Sequence, residues 1–362
     1  MEQAPPLAQP AASALRLKNA AAAALLVALT ATLYAVAPWN GKVMGNLYVA
    51  GSLAFTGASF LIVAALTYAL IVCAFFLTER RPGVSKSLRC LRVAARAASA
   101  PTAAWRDGLA PPDRLAVLTT LLKAFFGPMM AVSLMIFLMG AVNHGLAIVR
   151  GPIAAAGSRA LFDAHGYWFL LQFIFFVDVF FFTVGYLIEL PRLRNEIRSV
   201  DATLLGWVAA LACYPPFNEL TAAILGSPFT EFPRFDDPLA HAALNGLLLV
   251  ALAGYSWASV ALGWKASNLT HRGIVARGPY AVVRHPAYVC KMVSWWVASV
   301  PLVSLAFTRS TAGGLLAMAS VASWALIYVL RAVTEEDHLK RVDGEYAAYA
   351  AKVRYRFIPG VV

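Results

Sequence analysis

Long apolar runs alternate with short polar connections along nearly the whole chain. A helix of about 20 apolar residues crosses a hydrocarbon core of roughly 30 Å, and the runs reach or exceed that length. Eight spans are predicted, at approximately 20–38, 47–77, 115–146, 167–190, 204–225, 243–264, 287–307 and 313–331. The expected fold is therefore all-α, a polytopic transmembrane helix bundle. The second and third runs are longer than a bilayer requires, which predicts tilt or interfacial overhang. The first is Ala-rich and follows Arg16 and Lys18, as in a signal peptide. Its leader is long and Pro-rich, and no small-residue cleavage site precedes a soluble domain, so an uncleaved span is expected. In the fifth run Pro215-Pro216 is followed by Asn218 and Glu219, where broken helix could line a polar cavity; Glu219 is expected toward the external side.

Composition agrees with that pattern: 60% of residues are hydrophobic and 13% charged, with a net charge of +12. Globular domains carry about 25% charged residues, so a cytosolic enzyme and a disordered tail are both excluded. With the N-terminus inside, 23 of the 30 Lys and Arg residues fall on cytoplasmic segments and five on external loops. That bias sets an orientation with both termini cytoplasmic. The positive charge is read as topogenic and in contact with anionic lipid head groups, with no nucleic-acid partner needed. Cys73, Cys90, Cys213 and Cys290 show no C-x-x-C spacing, so no metal site is predicted. None of the 24 glycines forms Gly-x-Gly, and a dinucleotide fingerprint is missing.

Polarity divides the chain near residue 240. Residues 1–240 are spans and short loops, whereas 241–362 contain two stretches rich in Arg, His, Glu and Tyr, joined by a helical hairpin that brings them together. The first runs from Lys265 through Gly273-Ile274-Val275 and Gly278-Pro279-Tyr280 to Arg284-His285-Pro286-Ala287-Tyr288. Pro286 suits the first turn of a helix, and free N–H groups there beside Arg284 and His285 make a natural carboxylate or phosphate site. The plainer alternative is an Arg284 that reaches head groups and a His285 that caps the helix. The second stretch holds Arg331, Glu335-Glu336, His338, Gly344, Tyr346 and Tyr349. Arg331 and Glu335 share one helical face. Either this is a solvated helix end with an Arg–Glu pair, or the adjacent carboxylates of Glu335 and Glu336 hold the charge of a cationic ligand.

These motifs, in this order and ending near Pro359, resemble the isoprenylcysteine carboxyl methyltransferase family of integral membrane enzymes, and more distantly the phospholipid N-methyltransferases. The resemblance covers roughly the last 100 residues and leaves the first five spans as a region of possible substrate choice. It implies S-adenosylmethionine-dependent methyl transfer to a lipid or lipidated acceptor at the cytosolic face. It also implies a cofactor pocket of Lys265, Gly273, Ile274, Val275, Tyr280, His285, Pro286, Ala287, Tyr288 and Glu336. Arg331 and Glu335 match the family's substrate-facing pair. The chain departs from the pattern at Cys290-Lys291, where many relatives carry Gly, and at Asp343-Gly344 in the tail.

Within the spans, Asp178 and Lys123 are ionisable groups in an apolar setting, a functional-site hypothesis by default. A structural Asp178–Lys123 pair or a hydrogen-bonded Asp178 is the simpler reading. Two other functions are weighed: an NADPH-dependent membrane sterol or lipid reductase with a similar C-terminal bundle, and a transporter working through Asp178 and Lys123.

Overall fold

The computed structural model describes residues 9–102, 108–151 and 158–361. The chain parts into two compact units, Met1–Ser133 and Leu134–Val362, so the change in polarity at 240 falls inside the second.

In the first unit α1 (Gln9–Val36) is followed by a hairpin of β1 (Leu47–Ala50) and β2 (Leu53–Thr56). The hairpin turns at Gly51, whose φ of +60° suits a residue without a Cβ. Thr56 then caps α2 (Gly57–Thr78) by a capping box with Ser59. Ile62, Val63, Leu66, Leu70 and Ile71 on α2 are all exposed. Such an apolar band suits lipid and is intolerable in water. Asn19, fully buried in α1, donates to Gly83 O (2.7 Å) and accepts from Ser85 N (3.1 Å), fixing the turn after α2. Ser85 caps α3 (Lys86–Ser99), whose arginines at 89, 92 and 96 follow helical spacing. The Pro111-Pro112 pair opens α4 (Pro111–Arg150), 40 residues and so about 60 Å long. That exceeds a hydrocarbon core of roughly 30 Å, as the length of the apolar run predicted.

The second unit is built on α5 (Tyr167–Leu187), which leads to the short β3 (Ser199–Val200). Next come α6 (Leu204–Leu211), α7 (Phe217–Leu225) and α8 (Pro238–Leu262), and then the loop carrying β4 (Thr270–His271). A hairpin of α9 (Pro286–Arg309) and α10 (Thr311–Val342) follows, and α11 (Tyr346–Lys352) ends the helical part. Ser310 forms the hairpin turn and caps α10 through Gly313 N (3.0 Å). Tyr167, Leu171, Phe232, Leu248, Leu252 and Val297 form the core between α5, α8 and α9.

Among the described residues seven helices are long and apolar enough to cross a membrane, one fewer than the eight runs predicted. The run at 204–225 is not a continuous helix. Pro215 and Pro216 lack the N–H groups a helix interior needs, and the segment splits into α6 and α7. Its ends are nonetheless far apart along α10. Ser199 Oγ lies 3.1 Å from His338 Nε2, while Gly226 O accepts from Trp324 Nε1 at 2.7 Å. Those two α10 residues are fourteen positions apart, roughly 21 Å of helix. The broken pair thus runs alongside α10 for most of a bilayer's thickness.

Candidate functional site

The loop after α8 is held by two buried polar side chains. Arg272 donates to Asn195 O (2.5 Å) and Gly185 O (2.7 Å), carbonyls that follow or end α5. Asn268 donates through N and Nδ2 to Tyr186 OH (2.7 and 2.9 Å) and through Nδ2 to Tyr214 OH (3.1 Å). Strand β4 pairs antiparallel with β3, Ser199 opposite His271 and Val200 opposite Thr270. Close approach is essential at Gly185, where an added Cβ would sit 1.9 Å from Ala266 O. At Gly273 φ is +91°, which a residue with a Cβ rarely adopts.

The C-terminal tail closes over the start of α9. Arg284 N and His285 N donate to Tyr355 O and Arg356 O, both at 3.0 Å. Tyr349 OH donates to Tyr280 O at 2.9 Å. Glu336 lies beneath this closure, 1% exposed. It accepts from Arg284 Nε (2.8 Å) and from Arg356 Nε and Nη2 (3.0 and 2.9 Å), with His285 Nε2 at 3.2 Å. A carboxylate between two arginines can only accept, so His285 carries its proton on Nε2.

Beside this latch a cavity of about 190 Å³ opens. One wall is a face of α10 in helical register: Tyr328, Arg331, Glu335, His338 and Leu339. Arg331 donates to Asn268 Oδ1 (2.8 Å), and its guanidinium lies 5.0 Å from the ring centres of Tyr288 and Tyr328 and 5.9 Å from that of Tyr214. Its Nε is buried with no partner. Leaving such a donor unpaired costs free energy that a bound acceptor would recover. Glu335 accepts from Tyr288 OH, and His285 Nδ1 lies 3.8 Å away. His338 meets Ser199 Oγ (3.1 Å), and Lys265 Nζ donates weakly to Gly273 O (3.5 Å).

Around the loop, burial pushes the His271 imidazole below its ordinary range, and Arg198 and Lys265 push the same way. Asp343, 2.7 Å from Nε2, opposes them without prevailing. Burial also raises the Tyr280 hydroxyl, with the Glu335 charge adding to it, and pushes Tyr349 up to about 12.

Most of the residues picked out in the sequence meet at this cavity. Lys265, Gly273, Ile274, Val275, Tyr280, His285, Ala287, Tyr288, Arg331 and Glu335 all line it, and so does His338. Pro286 does not; it is buried in the first turn of α9. Glu336, expected beside the cofactor, is not among the residues lining the cavity; its carboxylate is engaged in the latch by Arg284 and Arg356. Asp178 is hydrogen-bonded by Ser259 and Tyr255, the second of the two arrangements weighed for it, and Lys291 is a nearby cation. Glu219 is exposed on α7 and lines neither large cavity. Tyr214, Asn268 and Tyr328 were missed. Tyr328 could have been found three residues before Arg331 on the same face, whereas Tyr214 lies beside the Pro215-Pro216 break, where Asn218 and Glu219 were singled out instead.

Residues 242–353 match the family described as "Protein of unknown function (DUF1295)". The chain is similar to the nickel-cobalt-cadmium resistance protein NccN of Alcaligenes xylosoxydans xylosoxydans, with 33% identity over 139 residues, 37% of this chain and 58% of the relative. It is also similar to the cobalt-zinc-cadmium resistance protein CzcN of Cupriavidus metallidurans, with 33% identity over 109 residues, 29% of this chain and 46% of the relative. The chain spans about half the length of these curated relatives. No solved structure matches it. The family match runs from within α8 to the end of α11, so it takes in Lys265, Tyr280, His285, Arg331 and Glu335.

Proposed function

We propose that this multi-pass membrane protein is an S-adenosylmethionine-dependent methyltransferase acting on a lipid or amphipathic acceptor, with its cavity at the cytosolic face. The observation that carries the reading is one wall of the cavity. Arg331, with an unpartnered Nε, and Glu335, held by Tyr288, stand one turn apart facing tyrosine rings. A cofactor that is a zwitterion with an added sulfonium fits this donor set. Glu335 can receive an ammonium, Lys265 or His285 a carboxylate, and the faces of Tyr280 and Tyr288 a cationic sulfur. When bound, the cofactor supplies an electrophilic methyl group.

Arg331 would orient a carboxylate acceptor, whose oxygen is already deprotonated and needs no base. For an amine or thiol acceptor, Glu335 or His338 would have to take the proton. Tight placement of donor and acceptor supplies much of the acceleration in an in-line displacement. Esterifying an acidic acceptor also removes an oxygen ligand for divalent cations. That links the reading to the metal resistance for which both relatives are named.

A membrane reductase remains the second reading, and one observation favours it. Arg194, Arg198 and Arg277 are close enough to Lys265 to repel it, a basic cluster suited to nucleotide phosphates. The Glu336 charge, being consumed by the latch, does not oppose phosphate there. Equilibrium binding of labelled S-adenosylmethionine and of NADPH to the purified protein separates the two. The methyltransferase reading expects the first to bind and Glu335→Gln to abolish it; binding of NADPH alone overturns it.

A further inference from the structure

A second cavity, of about 460 Å³, lies in the second unit between α5, α8, α9, α10 and the broken α6–α7 pair. It shares Tyr214, Tyr255 and Tyr328 with the first, so three tyrosines form the septum between them. Its walls combine rings, among them Phe175, Phe229, Trp295 and Trp324, with the polar side chains of Asn218 and Glu231. One cation lines it. Lys291, two turns into α9, faces the cavity with its Nζ 5.5 Å from the rings of Phe175 and Tyr255 and 5.7 Å from that of Trp295.

Asp178 and Glu231 answer Lys291 only at a distance. The Asp178 carboxylate is hydrogen-bonded by Ser259 and Tyr255, and no carboxylate comes within 4.0 Å of Nζ among the described residues. The ammonium therefore faces the cavity with ring faces around it and no ion pair at contact distance. An ionised group in a membrane-spanning helix is expensive unless something pairs with it. The aromatic walls and this cation together fit an apolar chain ending in one anionic oxygen group.

We propose that this chamber binds a long-chain carboxylate of the fatty-acid type, its head on Lys291 and its chain along Trp295, Trp324 and Phe229. The inference does not depend on the methyltransferase reading, because the septum separates Lys291 from the cavity proposed for the methyl donor. The chamber supplies a binding site for an amphiphile drawn from the membrane, whichever reaction the first cavity performs.

The test uses the full chain in nanodiscs of uncharged phosphatidylcholine and titrates cis-parinaric acid, reading energy transfer from tryptophan. Saturable transfer is expected for the wild type. Lys291→Met should weaken binding at least tenfold, Lys291→Arg should retain it, and the corresponding neutral alcohol should bind as weakly as the acid binds the Met variant. Lys291→Met leaves Asp178 without its cation and can fail to fold. The double variant Asp178→Asn with Lys291→Met removes both charges and should fold yet show the same loss. Wild-type affinity in either folded variant overturns the proposal, as does equal affinity for the alcohol. Titration with S-adenosylmethionine is read separately, so failure there leaves this result standing.

Discussion

Glu335 and Glu336 are neighbours in sequence, of one residue type, in one helix, and they occupy opposite kinds of environment. Around Glu336 every charge is answered. Two arginines and a histidine converge on its oxygens, and the backbone of the tail adds its own bonds over them. Around Glu335 and Arg331 the pairing is incomplete, with a buried guanidinium nitrogen left over and a cavity in front of it. Polar groups that are fully satisfied specify structure, and groups held ready without partners specify a ligand. The latch makes the wall possible, since it fixes α10 against the start of α9 and thereby sets where Arg331 points.

The comparison predicts different kinds of damage on the two sides. Glu336→Gln leaves Arg284 and Arg356 facing an uncharged group, and removing one partner of a buried ion cluster costs about 3–5 kcal/mol. The thermal midpoint should fall sharply, and the tail should become cleavable by trypsin at Lys352, Arg354 and Arg356. Equal stability and an uncut tail would make Glu336 a ligand-binding group after all. Arg331→Met should leave the fold nearly intact, because it surrenders one hydrogen bond to Asn268, about 1 kcal/mol. Binding of an anionic ligand group should instead drop about 10- to 100-fold, the worth of a charge-assisted bond of about 1.5–3 kcal/mol. If Arg331→Met unfolds the protein while leaving binding in the survivors unchanged, the wall is structural and the comparison collapses.

The legibility of the molecule follows the same division. Apolar runs announced the helices because each must match the bilayer thickness, and the clustering of Arg, His, Glu and Tyr located the cavity. Which glutamate faces it was not legible. A turn of 100° separates adjacent residues, and without knowing where the tail lies either glutamate fits a ligand. The tail's role was hidden because Arg356 reaches Glu336 from twenty residues away through a chain reversal that spacing does not reveal. The run at 204–225 hid Tyr214 for a similar reason. Its two consecutive prolines announced the break, but not that the ring just before them faces Arg331 on α10.

His271 offers a smaller effect and a test by pH. It is buried at the loop that frames the cavity, with its imidazole held below the ordinary range. The neutral form is thus favoured in the folded state, and its contribution to stability is present above the unfolded value near 6.5 and is lost as pH falls through the lower folded value. Thermal midpoints should decline on acidification below neutrality, and His271→Asn should flatten that decline. Asp343→Asn removes the one neighbour that favours protonation, so it should move the decline to still lower pH. A decline that is unchanged in His271→Asn would assign it to another group.

The smallest effect sharpens the account of the latch itself. Tyr349 OH donates a single hydrogen bond to Tyr280 O, joining α11 to the cavity loop without any charge. Tyr349→Phe removes that bond and little else, a loss of about 1 kcal/mol. Because burial lifts the hydroxyl from about 10 to about 12, the bond's contribution is complete below the ordinary tyrosine value and disappears only as pH rises through the higher one. At pH 9 the wild-type tail should therefore still resist trypsin better than the Tyr349→Phe tail, by the same margin as at pH 8, and the margin should shrink as pH rises above 10. No margin at either pH 8 or pH 9 would mean that this bond does not hold the tail, which then rests on the Glu336 cluster alone.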